Sequence, residues 1–112
     1  MNANDQLADY TCTENYYTHF TGILFTDGVR ALCETFECYW FLDIICSYQR
    51  QLRNEEFQSW KLMRAKGTSA IVTCDNGNGR ILIEQLIPFT DFEPSGATVW
   101  LENNVALLPS ER

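Results

Sequence analysis

The sequence predicts an α+β domain in which two helices pack on a four- to five-stranded antiparallel meander sheet. Three observations lead there. Apolar residues recur at three- and four-residue steps between Val29 and Leu52, as on the buried face of a helix. From Phe57 onward the pattern shortens towards alternation and becomes rich in β-branched residues. Two turn signals, Asp75-Asn76-Gly77-Asn78-Gly79 and Asn103-Asn104, cut that second half into hairpins, because Asn and Gly tolerate the positive φ of tight turns.

Taken in order, residues 1–15 show no periodicity and read as a loosely ordered segment, leaving 16–112 as a single domain. Tyr16-Tyr17-Thr18-His19-Phe20 and Ile23-Leu24-Phe25 read as short extended pieces separated by Gly22, with room for an additional edge strand. Thr26 or Asp27 can cap a first helix over Gly28 to Phe36, where Val29, Leu32, Cys33 and Phe36 share a face. A second helix is expected from about Glu37 to Arg53. It buries Phe41, Leu42, Ile45, Tyr48 and Leu52 and turns Asp43, Ser47, Arg50 and Asn54 outward. Strands follow at Phe57–Lys66, Ser69–Cys74, Arg80–Ile87, Ala97–Glu102 and Val105–Leu108, with a Pro88 to Gly96 loop between the third and fourth.

Composition narrows the function classes. The 112 residues suit one domain, and 46% hydrophobic content supplies a core without staples. The net charge of −7 repels phosphate backbones, so direct nucleic-acid binding is not expected. Seven of the eight basic residues fall between Arg30 and Arg80, while residues 81–111 carry five acids and no Lys or Arg. The acidic ends either pack beside that basic middle or present an acidic face to a basic partner. Five cysteines, none at two-residue spacing, and a single histidine predict no metal centre and no cofactor. The polar, base-free N-terminus does not resemble a secretory signal. The longest apolar run, Cys38 to Cys46, is far short of a membrane span. A reducing cytoplasm is the expected setting. Gly77 and Gly79 lie in a strand–turn–strand pattern with no Lys after them, which is a hairpin and not a phosphate loop.

Two groups of residues carry the functional expectations. His19, with Tyr17, Asp27 and Asp43, forms a candidate pocket in which a carboxylate could orient the imidazole as a general base. The plainer reading of a lone histidine among aromatics is a hydrogen-bonded packing residue. The second group is a candidate interaction surface: Tyr39 and Trp40, at the edges of the second helix's polar face, with Glu84, Asp91, Glu93 and Glu102. Exposed aromatics supply anchors and acids supply complementarity to a basic partner.

The runs YTHFTG (Tyr17–Gly22), LFTDGV (Leu24–Val29), YWFLDIICSYQ (Tyr39–Gln49), WKL (Trp60–Leu62), IPFTDF (Ile87–Phe92) and VALLPSE (Val105–Glu111) resemble an uncharacterised family of small bacterial proteins found on phages, prophages and plasmids. The resemblance spans about residues 16–111 and implies a mobile-element setting without implying an activity. The expectation is therefore a non-enzymatic protein that binds a host or phage protein through the acidic and aromatic surface. The alternatives are a small enzyme or ligand-binding domain centred on Tyr17, His19, Asp27 and Asp43, and a homo-oligomer joined through an exposed sheet edge.

Overall fold

The computed structural model describes residues 1–112 and has the expected α+β class, but the sheet is larger and differently connected. Its elements are α1 (Ala3–Gln6), β1 (Tyr16–Thr18), β2 (Leu24–Thr26), α2 (Asp27–Thr35), α3 (Tyr39–Ser47), β3 (Phe57–Arg64), β4 (Ala70–Asp75), β5 (Ile81–Ile87), β6 (Gly96–Glu102) and β7 (Val105–Leu107), with a closing 3₁₀ turn at Pro109–Glu111. All seven strands form one sheet in the order β1-β2-β7-β6-β3-β4-β5. The expected four- to five-stranded antiparallel meander is thus corrected to a mixed sheet, in which β2 and β7 run parallel.

Strand β6 returns to pair with β3 instead of β5, so β6-β3-β4-β5 is a Greek key. Burial explains the choice. Gln58, Trp60 and Leu62 of β3 are all buried, as in a strand flanked on both sides. By contrast, Ile81, Glu84 and Leu86 of β5 are exposed, which suits an edge. The connection from β5 to β6 is also too long for a tight hairpin. It is fastened on the way, as Thr90 N–H donates to Thr68 O (2.8 Å) and Ser95 N–H to Met1 O (2.8 Å).

The segment before Tyr16, expected to be loose, contains α1. Before Trp100, β6 has no strand on its β7 side, because Leu107 is the last residue of β7. The Asn4 amide fills the gap. Its Nδ2 donates to Thr98 O (2.9 Å), and Thr98 N–H donates to Asn4 Oδ1 (2.6 Å). One side chain thereby satisfies both backbone groups of a sheet edge, and Ala3 and Leu7 join the core.

Thr26 caps α2, accepting from Val29 N–H (3.3 Å). Glu111 completes that helix start. It accepts from Thr26 Oγ1 (2.6 Å), Gly28 N–H (3.0 Å) and Leu108 N–H (2.9 Å). A Cβ on Gly28 would lie 2.5 Å from the Glu111 carboxylate, so only glycine admits this approach.

The second helix is shorter than expected, ending at Ser47 instead of Arg53. The Gln49 side chain donates to Ile45 O (2.8 Å), the carbonyl its own N–H would take in a continuing helix, and that N–H bonds Cys46 O (3.2 Å) instead. Residues 48–54 continue as turns. They bring the Tyr48 ring over Trp60, centroids 5.8 Å apart, and the Tyr48 hydroxyl to Gln85 (2.8 Å). A single cluster of 25 buried residues joins helices and sheet, and Trp60 within it is fully buried.

Candidate functional site

The four residues of the candidate pocket form two separate struts. Tyr17 Oη donates to Asp27 Oδ1 (2.9 Å), and Asp27 Oδ2 accepts from the backbone N–H of Glu14 (3.0 Å) and Asn15 (3.2 Å). These bonds, the one from Glu14 above all, hold the Asp27 carboxyl below its ordinary pKa of 3.8 against the opposing effect of desolvation. Arg30 lies 4.6 Å from the Tyr17 ring centroid. The assembly ties residues 13–17 to the start of α2.

The second strut is His19 to Asp43. Thr21 N–H donates to His19 Nδ1 (3.2 Å), which makes Nδ1 the acceptor and Nε2 the nitrogen that donates to Asp43 Oδ1 (2.7 Å). The Thr21 hydroxyl is also 2.9 Å from Nδ1. Hydroxyl, imidazole and carboxylate are therefore in line. Yet the hydroxyl belongs to the turn that His19 itself closes, through Gly22 N–H to His19 O (2.8 Å). None of Tyr17, His19, Asp27 and Asp43 lines any of the four concavities described below. The geometry is that of a clamp joining the β1–β2 hairpin to α3.

A different set of side chains converges at the corner between α2 and α3. Helix α2 ends in a Schellman turn: Cys38 N–H donates to Cys33 O (3.0 Å), and Glu37 takes the left-handed position with φ 52°. Glycine is the usual occupant there, because a Cβ in this conformation costs about 1–2 kcal/mol. The turn swings the chain into α3 so that Tyr39 is 40% exposed and Trp40 half-buried. Cys33, Glu34, Glu37, Tyr39 and Trp40 line a shallow apolar concavity of about 460 Å³. Thr35, Phe36, Glu37, Asp91 and Glu93 line a second, of about 270 Å³. Glu37 belongs to both and joins them into one surface.

The charges of that surface are largely unpaired. Glu34 meets Arg30 at 3.3 Å, whereas the carboxylates of Glu37, Asp91 and Glu93 have no Lys or Arg within 4.0 Å. Arg64 reaches Glu93 at its backbone carbonyl (3.3 Å), not at its side chain. Burial, with the nearby Glu34 charge, raises the Tyr39 phenol pKa and keeps it a hydrogen-bond donor.

Of the six expected surface residues, Tyr39, Trp40, Asp91 and Glu93 thus come together. Glu84 lies on β5 opposite Thr73, and Glu102 is paired with Arg112 (3.4 Å). Glu34 and Glu37 were not expected. The signal for Glu37 was weak, since helical periodicity placed it at the start of the second helix.

The largest concavity, about 840 Å³, opens between the turn after α3 and the β6–β7 turn. Arg53, Glu55, Glu56, Glu102 and Arg112 mix charges around it. Another, of about 490 Å³, lies on the outer sheet face around Lys61, Asp75 and Trp100. Four of the five free cysteines are buried and Cys12 is exposed. No three His, Cys, Asp or Glu side chains converge as metal ligands, and no helix is long and apolar enough to cross a membrane.

No curated protein and no solved structure matches the chain. A family model described as a family of unknown function, DUF6876, matches residues 1–112, and the chain belongs to that family.

Proposed function

We propose that the chain is a non-enzymatic interaction module that binds a basic segment of another protein at the α2–α3 corner. The observation that carries this reading is Glu37. A bulky, charged residue sits in a left-handed position where glycine is favoured, and its side chain joins an aromatic concavity to an acidic one. Tyr39 and Trp40 would seat the aliphatic stem or cationic head of a Lys or Arg. Glu37, Asp91 and Glu93, which lack cationic partners, would supply the complementary field and chiefly speed association. The setting is a mobile genetic element in a bacterial cytoplasm, as the motif resemblance implies, and the free thiols accord with a reducing compartment.

The test is affinity purification of the tagged protein from bacterial lysate, with mass spectrometry of what is retained. The expected result is one stoichiometric protein that is lost when Glu37, Asp91 and Glu93 are changed to Lys and weakened by Trp40→Ala. Asp9→Lys, an exposed change far along the chain, should leave it bound. Retention unaffected by the triple reversal, or an empty eluate, overturns the proposal.

A further inference from the structure

The sheet face turned away from the helices is covered unevenly. The N-terminal segment and the 3₁₀ turn with Arg112 sit over β6 and the start of β3, where Arg112 lies 5.5–5.6 Å from the ring centroids of Trp100 and Phe57. At the far end of β3 and along β5 the side chains of this face are exposed, and Ile71 and Thr73 of β4 between them are half-buried. Register places two cross-strand rows there. One is Lys61–Thr73–Glu84, and the next is Met63–Ile71–Leu86. Met63 is 51% and Leu86 62% exposed, and Phe89, just beyond β5, is 73% exposed. Large apolar side chains grouped on a sheet face mark a contact surface. Glu84 has no cation within 4.0 Å, and Lys61 reaches only Asp75, at 3.7 Å.

We infer that this face docks a second copy of the same chain, about a two-fold axis parallel to β4. That axis exchanges β3 with β5 across the interface and keeps each row at its own level. Lys61 then faces Glu84 of the other copy, and Glu84 faces its Lys61. Met63 meets Leu86, Ile71 meets Ile71, and the two sheets stack at the usual spacing of about 10 Å. The surface is self-complementary, as an isologous contact requires. A two-fold across the strands instead sets the charged row against the apolar row. Edge-to-edge pairing of two β5 strands about their centre brings Glu84 against Glu84. The row geometry selects the first arrangement. With few large apolar side chains on the face, association is expected to be weak and concentration-dependent.

Sedimentation velocity over micromolar to millimolar protein tests this directly. The wild type should show a reversible monomer–dimer equilibrium. K61E and E84K should each move its midpoint at least about tenfold higher in concentration, because like charges then face each other. An equimolar mixture of the two single variants should recover dimer as a heterodimer, and the K61E/E84K double variant should recover it alone. Circular dichroism checks that each variant folds, and the mixture reports on the contact with both variants present. A wild type that stays monomeric throughout overturns the inference. So does a dimer indifferent to either charge change, or a mixture that regains nothing.

Discussion

Replacing Gln58 by Leu should cost far more than the loss of an ordinary hydrogen bond. Gln58 is 2% exposed and Trp60 is fully buried. The Gln58 amide donates to Gln49 Oε1 (2.8 Å) and accepts from Gln49 Nε2 (2.8 Å) and from Trp60 Nε1 (2.9 Å). Leucine preserves most of the volume but leaves the indole N–H without a partner and without water, at about 1–3 kcal/mol. Gln49 is half-buried and keeps its bond to Ile45 O, so its share is small. Together the change should destabilise by about 2–3 kcal/mol, a fall in Tm of roughly 4 °C for each kcal/mol. In a Trp60→Phe background the orphaned donor no longer exists, and the same change should cost about 1–2 kcal/mol less. Urea unfolding of all four proteins, followed by far-UV circular dichroism at a common m-value, completes the cycle. Costs that add within about 0.5 kcal/mol would show that the Gln58–Trp60 bond does not couple the two residues.

Three further changes probe other parts of the fold. Because the folded Asp27 pKa lies below 3.8, its stabilisation is fully present above that value and lost as pH falls through the depressed folded value. Asp27→Asn should therefore lower Tm at pH 7, with the gap to wild type closing below about pH 4; a gap constant with pH would refute the charge-based account. Glu37→Gly relieves the left-handed strain and should raise stability by about 0.5–1 kcal/mol while weakening partner binding, a split measured by urea unfolding beside the affinity assay. Burial pushes the Cys46 thiol up to about 11 and the Cys74 thiol up to about 12, and a hydrogen bond with Cys38, together with burial, raises Cys33 as well. A thiol-reactive chromophore at pH 8 should find one fast site in native protein, the exposed Cys12, and five after denaturation; several fast sites would contradict the packing.

Much of the fold was legible where local chemistry decides. The turns at Asp75–Gly79 and Asn103–Asn104 follow from residues that accept positive φ, and Thr26 announces its helix. Long-range pairing was not legible. Nothing local to Ala97–Leu101 says that it prefers β3 over β5. The early end of α3 depends on one Gln49 side chain competing for a carbonyl, which periodicity does not register. The order of the N-terminal segment depends on Asn4 meeting Thr98, 94 residues away. The candidate surface shows the same division. Residue type singled out Tyr39, Trp40, Asp91 and Glu93, but charge alone does not place a residue, and Glu84 and Glu102 lie elsewhere. His19 and Asp43 do meet, as do Tyr17 and Asp27, but as two separate pairs.

The parallel pairing of β2 with β7 bears on how the chain is made. On the ribosome, residues 16–26 emerge early and can close their own hairpin, but the strand that receives β2 is synthesised much later. Thr26 waits for Glu111, 85 residues downstream, before its helix start is complete. Until then β2 presents an unpaired edge, and the non-local closure is costly in chain entropy. Nascent chains stalled short of Val105 should therefore stay protease-sensitive through residues 16–26, and that protection should arrive together with residues 105–112.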